Sequence, residues 1–519
     1  MMRFKPFSLP WQLKLQARSV KGPQLRVTPR YLSFDPLETY ASCDGGAGGR
    51  GTRTFSSTGC WGTDGVYGEL TAMRTKLPFI EAWREEEGKK AGLDGKGEGI
   101  EGKGTRAPLA GEGDGPARKK MSDSFHSVIL PLGSDLWLLD NYITASGHIR
   151  LGAIFMDLDA LAGVISYKHT GDSVMTVTAA VDRITLSRPL LEICDLELSG
   201  QVTFATGRSS MEVSLQVARA FPPGAATNGA RKREDIFMEC AFTMVSLDPV
   251  TKRAVKIAGV EPENEVERNL YELGMRSYEK KKREMGRALR SKEPDDEESD
   301  LIHRLWLKTL DYRDPNTASL LPPTCTRMSA SKIQSVQIMQ PQYRNRHNFM
   351  IFGGFLLKST FELAFTCASA ISHSRPTFIA LDPSTFENPV PVGSVLYVSA
   401  TLAYCDRVLV GGQGEGREDG DVDGGTGGKG IKTRVQIRVD TRVKNVEHAE
   451  TKPTGQFNYT FEVDGVLQVL PESYEDFMVY LDARRRSRGR GGVLVGDGGN
   501  GAEGVDVGGG RGDGGMKVL

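Results

Sequence analysis

Apolar and polar residues alternate through two stretches of this chain. In the first, SVMTVTAAVDRITL, CDLELSGQVTFAT, SSMEVSLQVAR and DIFMECAFTMVSL carry apolar residues at nearly every second position. In the second, RPTFIALDPSTF, SVLYVSATLAYC, TRVQIRVDTRV and GQFNYTFEVDG follow the same rule. Period-two alternation predicts antiparallel sheet with one buried face. Ahead of each set lies an apolar run of helical length, IRLGAIFMDLDALAGVISYKH at 149–169 and GGFLLKSTFELAFTCASAIS at 353–372. The second run is apolar nearly all round, through Phe355, Leu356, Leu357, Phe361, Leu363, Phe365, Cys367, Ala368 and Ile371. Such a helix has to be covered on most sides, and a curved antiparallel sheet wrapped about it does this.

The two stretches repeat each other. VDRITLSRPL at 181–190 aligns without gaps on LDPSTFENPV at 381–390, so that Asp182, Thr185 and Pro189 match Asp382, Thr385 and Pro389. The predicted fold is α+β, two hotdog domains in tandem, each a long helix wrapped by antiparallel strands. The first covers 123–260 and the second 313–486, joined by a charged, helix-patterned linker at 261–312. Gly-rich, low-complexity sequence fills 35–122 and 487–519, and interrupts the second domain at 411–430 between two strand-like runs; these segments read as disordered.

Composition agrees with folded domains diluted by such segments: 61 of 519 residues are Gly and hydrophobic residues make up 39%. Lys+Arg and Asp+Glu are both 66, which leaves no net field to draw in nucleic acid. The seven cysteines show no CxxC spacing and read as reduced thiols, neither a zinc site nor a disulfide frame. The first 34 residues hold seven Lys/Arg and no acid, the signature of a mitochondrial presequence. The run 349–372 contains Lys358, Glu362 and a glycine pair, so a buried helix is expected there and not a membrane span. No GxSxG elbow, P-loop or zinc spacing occurs, and no cofactor is called for.

Gly353 and Gly354 open the second apolar helix. A helix N-terminus offers free backbone N–H groups, and glycine lets a ligand approach them. The pair either binds an oxyanion or only permits tight packing. Glu362, and Asp159 in the first helix with Asp157 as alternative, are acids within apolar helices. An unpaired carboxylate there costs several kcal/mol, so each has a structural partner or a chemical role.

In order along the chain, GHIRLGAIFMDLDALAGVISYKH, TGRSSMEVSLQV, PQYRNRHNFMIFGGFLLKSTFELAF, SRPTFIALDPSTFENPVPVGSVLY and SYEDFMVYLDARR resemble the mitochondrial double-hotdog acyl-coenzyme A thioesterases. The resemblance covers 123–260 and 313–486. It implies an enzyme that hydrolyses acyl-coenzyme A to acid and coenzyme A with activated water at the interface of the two domains. Gly353, Gly354 and Gly152 would bind the thioester oxygen, and Asp159 and Glu362 would be the groove acids. Relatives place an Asp or Asn three residues before the glycine pair, where this chain has Met350. Asn348 or His347 would then work with Asp159, with Asn345 a weaker choice, and His148 would face Glu362 in a second, unequal groove. Arg344 and Arg346, and less directly Arg375 or Lys168, would meet the coenzyme A phosphates. A matrix location and a homo-oligomer, a trimer of double hotdogs, are also implied. Rival expectations are a double-hotdog enoyl-coenzyme A hydratase, whose DxxxxH pair precedes neither helix, and a non-catalytic acyl-coenzyme A-binding protein.

Overall fold

Two apolar helices, Leu151–Thr170 and Gly353–Ser372, organise the protein, and each holds the same place in a repeated order of elements. The structure, a computed structural model, describes residues 118–188, 192–221, 235–249, 251–284, 293–313, 320–345, 350–409 and 431–490. The expectations for 1–34, most of 35–122, 411–430 and 491–519 lie outside the described residues.

The first repeat runs β1 (Lys119–Lys120), β2 (His126–Leu130), α1 (Leu136–Tyr142), α2 (Leu151–Thr170), β3 (Met175–Val181) and β4 (Ile184–Leu186). It continues through β5 (Leu196–Ala205), β6 (Ser210–Arg219), β7 (Ile236–Leu247), β8 (Val260–Glu261) and α3 (Glu265–Glu284). After α4 (Asp296–Asp311) the second repeat runs β9 (Cys325–Arg327), β10 (Ile333–Ile338), α5 (Gly353–Ser372), β11 (Thr377–Leu381) and β12 (Ser384–Thr385). It ends with β13 (Val395–Leu409), β14 (Ile431–Lys444), β15 (Thr451–Asp464), β16 (Gln468–Leu470) and α6 (Tyr474–Arg490).

The long strands pair antiparallel in the orders β2-β5-β6-β7 and β10-β13-β14-β15. Where the repeats meet, each lends short strands to the other. Thr185 of β4 sits opposite Ala380 of β11, and Val181 of β3 opposite Ser384 of β12. The two wraps thereby become one 12-stranded sheet, and α2 packs against α5 at the seam. The matched aspartates occupy equivalent places: the Asp182 N–H donates to Ala241 O, and that of Asp382 to Asn458 O.

The more enclosed helix is the first, not the second. α2 is buried at every position from Gly152 to Ser166. In α5, Glu362 and Leu363 are half-buried and Thr366 and Ala370 are exposed. The stretch expected as a linker contributes to the fold as well. α3 lies on β5, where Gly274 admits Phe204: a Cβ there would stand 2.6 Å from Phe204 Cβ. Tyr271 and Tyr278 flank the same ring at 5.0 and 6.2 Å. α6 repeats the device on β13, with Tyr480 against Tyr404 at 5.1 Å. α4 is held to α6 by Arg485, whose Nε and Nη2 donate to the two Glu298 oxygens at 2.8 and 2.5 Å. Among the described residues no helix is long and apolar enough to cross a membrane.

Candidate active site

The chain enters α5 through Phe352, which is extended (φ −66°, ψ 134°) and makes no side-chain cap. The first turn holds no acid of its own, so its backbone N–H groups and the positive end of the helix dipole are left to partners from other elements. Asp159 of α2 comes up to this end. A Cβ on Gly353 would lie 3.0 Å from Asp159 Oδ2, and one on Gly354 would lie 2.5 Å from the Phe352 ring and 2.8 Å from Met156 O. The tight-packing reading is met at both glycines. Gly354 is required by the close approach of α2, and Gly353 by the carboxylate beside it.

Asp159 is 1% exposed. The Thr178 hydroxyl, from β3, donates to its Oδ1 at 2.7 Å, while Oδ2 has no hydrogen-bond partner among the described residues. Burial pushes the carboxyl up to about 6, with the Thr178 hydroxyl and the Gly354 N–H pulling the other way. An acid raised by desolvation, tethered on one oxygen and free on the other, is poised to take a proton near neutral pH.

A cavity of about 340 Å³ opens beside it, walled by both repeats. Asp159, Thr178, Gly353, Arg344 and Asn345 line it, and Met350 forms part of the wall. The structure thus brings together Asp159 and Gly353 as expected, with Gly354 adjoining, and sets Asn345 and Arg344 at the same cavity. Arg346, His347 and Asn348 lie outside the described residues. Asp157 accepts from the Tyr142 hydroxyl at 2.5 Å and is not among the lining residues. Lys168 donates to Phe125 O, just before the edge strand β2, and neither it nor Arg375 lines the cavity. Thr178 was not anticipated: threonine is an ordinary strand former, and nothing in its surroundings marks it.

The repeat-related groove has a different content. With Gly354 matched to Gly152 and Asp382 to Asp182, the positions of Gly353, Asp159 and Thr178 are taken by Leu151, Phe361 and Phe378. Phe361 and Phe378 meet edge to face at 5.5 Å, and Phe155 packs on both. Three expectations are corrected here. Glu362 is not buried, its side chain being 38% exposed, and it is held by Arg150 Nη2 at 2.6 Å. Nor is it the counterpart of Asp159, which follows Gly152 by seven residues where Glu362 follows Gly354 by eight. One residue turns a side chain about 100° round a helix, away from the position that Phe361 takes. His148 is exposed, and its ring nitrogen Nδ1 pairs with Ser146 Oγ at 3.2 Å; Arg150 is what meets Glu362. Gly152 does stand at the α2 start, 3.3 Å from Glu362 Oε1 measured from a built Cβ.

No family model matches the chain. The human protein named "Acyl-coenzyme A thioesterase 9, mitochondrial" is 31% identical over 392 residues, 73% of this chain and 80% of the relative. The mouse protein named "Acyl-coenzyme A thioesterase 10, mitochondrial" is 31% identical over 382 residues, 71% of this chain and 78% of the relative. Among solved structures, an apo-hexameric acyl-CoA thioesterase aligns at TM-score 0.27 and 26% identity, covering 33% of this chain and 97% of its own. The 12:0-ACP thioesterase of Umbellularia californica aligns at TM-score 0.34 and 11% identity, over 65% of this chain and 94% of its own. By its likeness to relatives along most of their length, the chain belongs to the mitochondrial acyl-coenzyme A thioesterase family.

Proposed function

We propose that this protein hydrolyses acyl-coenzyme A to the free carboxylic acid and coenzyme A, in the groove built on Asp159 and the start of α5. The observation that carries the reading is the raised, half-tethered carboxylate facing an uncapped helix N-terminus at a cavity between the repeats. The thioester oxygen sits against the Gly353 N–H at the cavity, while the Gly354 N–H favours the Asp159 carboxylate. A water held by Asp159 Oδ2 and the Asn345 amide attacks the carbonyl carbon, and Asp159 takes its proton. Negative charge gathers on the oxygen at the helix end, where the donors and dipole are already oriented. Collapse breaks the C–S bond, and the proton returns to the departing sulfur. Thr178 keeps Oδ1 occupied, so that Oδ2 is the basic atom. Arg344 lies at the cavity for a coenzyme A phosphate, and Arg346, His347 and Asn348 remain candidates from the adjoining loop.

The second groove is silent in this reading, because Leu151, Phe361 and Phe378 stand where the working groove has a glycine, an acid and a hydroxyl. Glu362, Gly152 and His148 are then structural or surface residues. The relatives' names and the acid-free first 34 residues support a mitochondrial location, in the matrix. The family supports a homo-oligomer, a trimer of double hotdogs. Met350 favours one rival, a binder without turnover.

The test follows free-thiol release from acetyl- to palmitoyl-coenzyme A by the chain lacking residues 1–34. Thiol release that depends on enzyme concentration supports the hydrolase. Tight binding of acyl-coenzyme A with no release at any length makes it a binder. Loss of enoyl absorbance from an added trans-2-enoyl-coenzyme A, without thiol, makes it a hydratase.

A further inference from the structure

We propose that Tyr167 sets the acyl-chain length this protein accepts, by closing the limb of the groove that runs from Asp159 along α2. The proposal rests on the hydrolase reading above and concerns where the substrate's tail lies. Asp159, Gly163 and Tyr167 recur at intervals of four, share one face of α2, and all line the cavity. Eight residues of helix separate the first from the last, about 12 Å at the usual rise.

β3 runs beside the same limb and is tied to α2 at two places. At the near end Thr178 holds Asp159. At the far end the Thr176 N–H donates to the Tyr167 hydroxyl at 3.2 Å, and that hydroxyl donates to Thr176 O at 3.4 Å. The Thr176 side chain is itself engaged by Ser246 Oγ at 3.4 Å. The polar groups of this end are thus satisfied internally, and Met244, Val245 and Leu247 of β7 contribute apolar wall. Arg344 and Asn345 belong instead to the second repeat, where Arg344 bridges to Ile351 just before Gly353. Charged coenzyme A and an apolar tail therefore have different ends of one cavity to occupy. The tail's end is a ring fixed by two backbone hydrogen bonds, a better-defined stop than a flexible side chain.

The experiment compares kcat/KM across straight acyl chains for the wild type, Tyr167→Phe, Tyr167→Ala and Tyr167→Trp. Tyr167→Phe keeps the ring and is expected to keep the profile, which also reports on folding. Tyr167→Ala is expected to move the optimum to longer chains, gaining about fourfold in kcat/KM for each methylene beyond the wild-type optimum, with KM falling for those chains. Tyr167→Trp is expected to move it to shorter chains. A Tyr167→Ala change that scales every chain length equally, or that alters inhibition by free coenzyme A in place of chain length, would overturn the proposal. If the wild type releases no thiol, the hydrolase reading fails by itself. The same four proteins then test Tyr167 by equilibrium binding of the acyl series, with a shifted length preference supporting it and an unshifted one rejecting it.

Discussion

Replacing Asp159 by Asn should remove the activity and make the protein more stable at neutral pH. The carboxyl is pushed from 3.8 to about 6 by burial, so the folded state binds its proton more tightly than the unfolded chain does. The consequence for stability has a definite sign. Below about pH 4 the group is protonated in both states and costs nothing; between roughly pH 4 and 6 the penalty grows; above pH 7 it levels at about 3 kcal/mol. Near pH 5 about half of it is present. Asn carries no charge to desolvate and still accepts from Thr178, and its unmatched amide donors give back about 1 kcal/mol. Asp159→Asn should therefore gain about 2 kcal/mol in urea unfolding at pH 7.5 and about 1 kcal/mol less than that at pH 5, while kcat falls at least about a hundredfold. A variant equally destabilised at both pH values would refute the reasoning, since it would mean that the charged form is the one the fold prefers. A fold that is weaker for keeping this acid keeps it for chemistry.

Wild-type kcat should rise with pH through about 6 and then level off, following ionisation of Asp159. In Thr178→Val the hydroxyl that favours the carboxylate is gone, so the midpoint of that pH profile should move upward and kcat should drop about tenfold or more. Gly354→Ala should cost about 1–3 kcal/mol in thermal or urea unfolding, because the new methyl meets Met156 backbone at 2.8 Å; Gly152→Ala, with its nearest contact at 3.3 Å to a side chain, should cost far less. Glu362→Gln breaks a half-exposed ion pair with Arg150, and should change stability by less than about 1 kcal/mol and kcat/KM by less than about twofold.

The repeat and its strands were legible because period-two patterning survives in nearly every long strand, and the segments around Asp182 and Asp382 align without gaps. Asp159 was legible because an acid in an otherwise apolar helix needs a reason. Glu362 satisfied the same test, which ignores rotation: one residue further from the glycines than Asp159, it meets Arg150 at the start of α2. Arg150 could not be chosen as its partner from the sequence, because the contact crosses between repeats. α3 looked like a linker because its net composition is charged. Its packing rests on Tyr271, Gly274 and Tyr278, three residues at helical spacing whose partner, Phe204, lies on a distant strand. Thr178 carries a role only because β3 runs beside α2, a fact of tertiary packing.

The central claim is that one groove works and that it is the one holding Asp159. Thiol release by the wild type, Asp159→Asn and Glu362→Gln, measured side by side on the wild type's preferred acyl-coenzyme A, tests it most directly. Asp159→Asn should lose turnover while still binding acyl-coenzyme A, and Glu362→Gln should stay close to the wild type. Loss in Glu362→Gln with Asp159→Asn still active would put the chemistry in the other groove and contradict it.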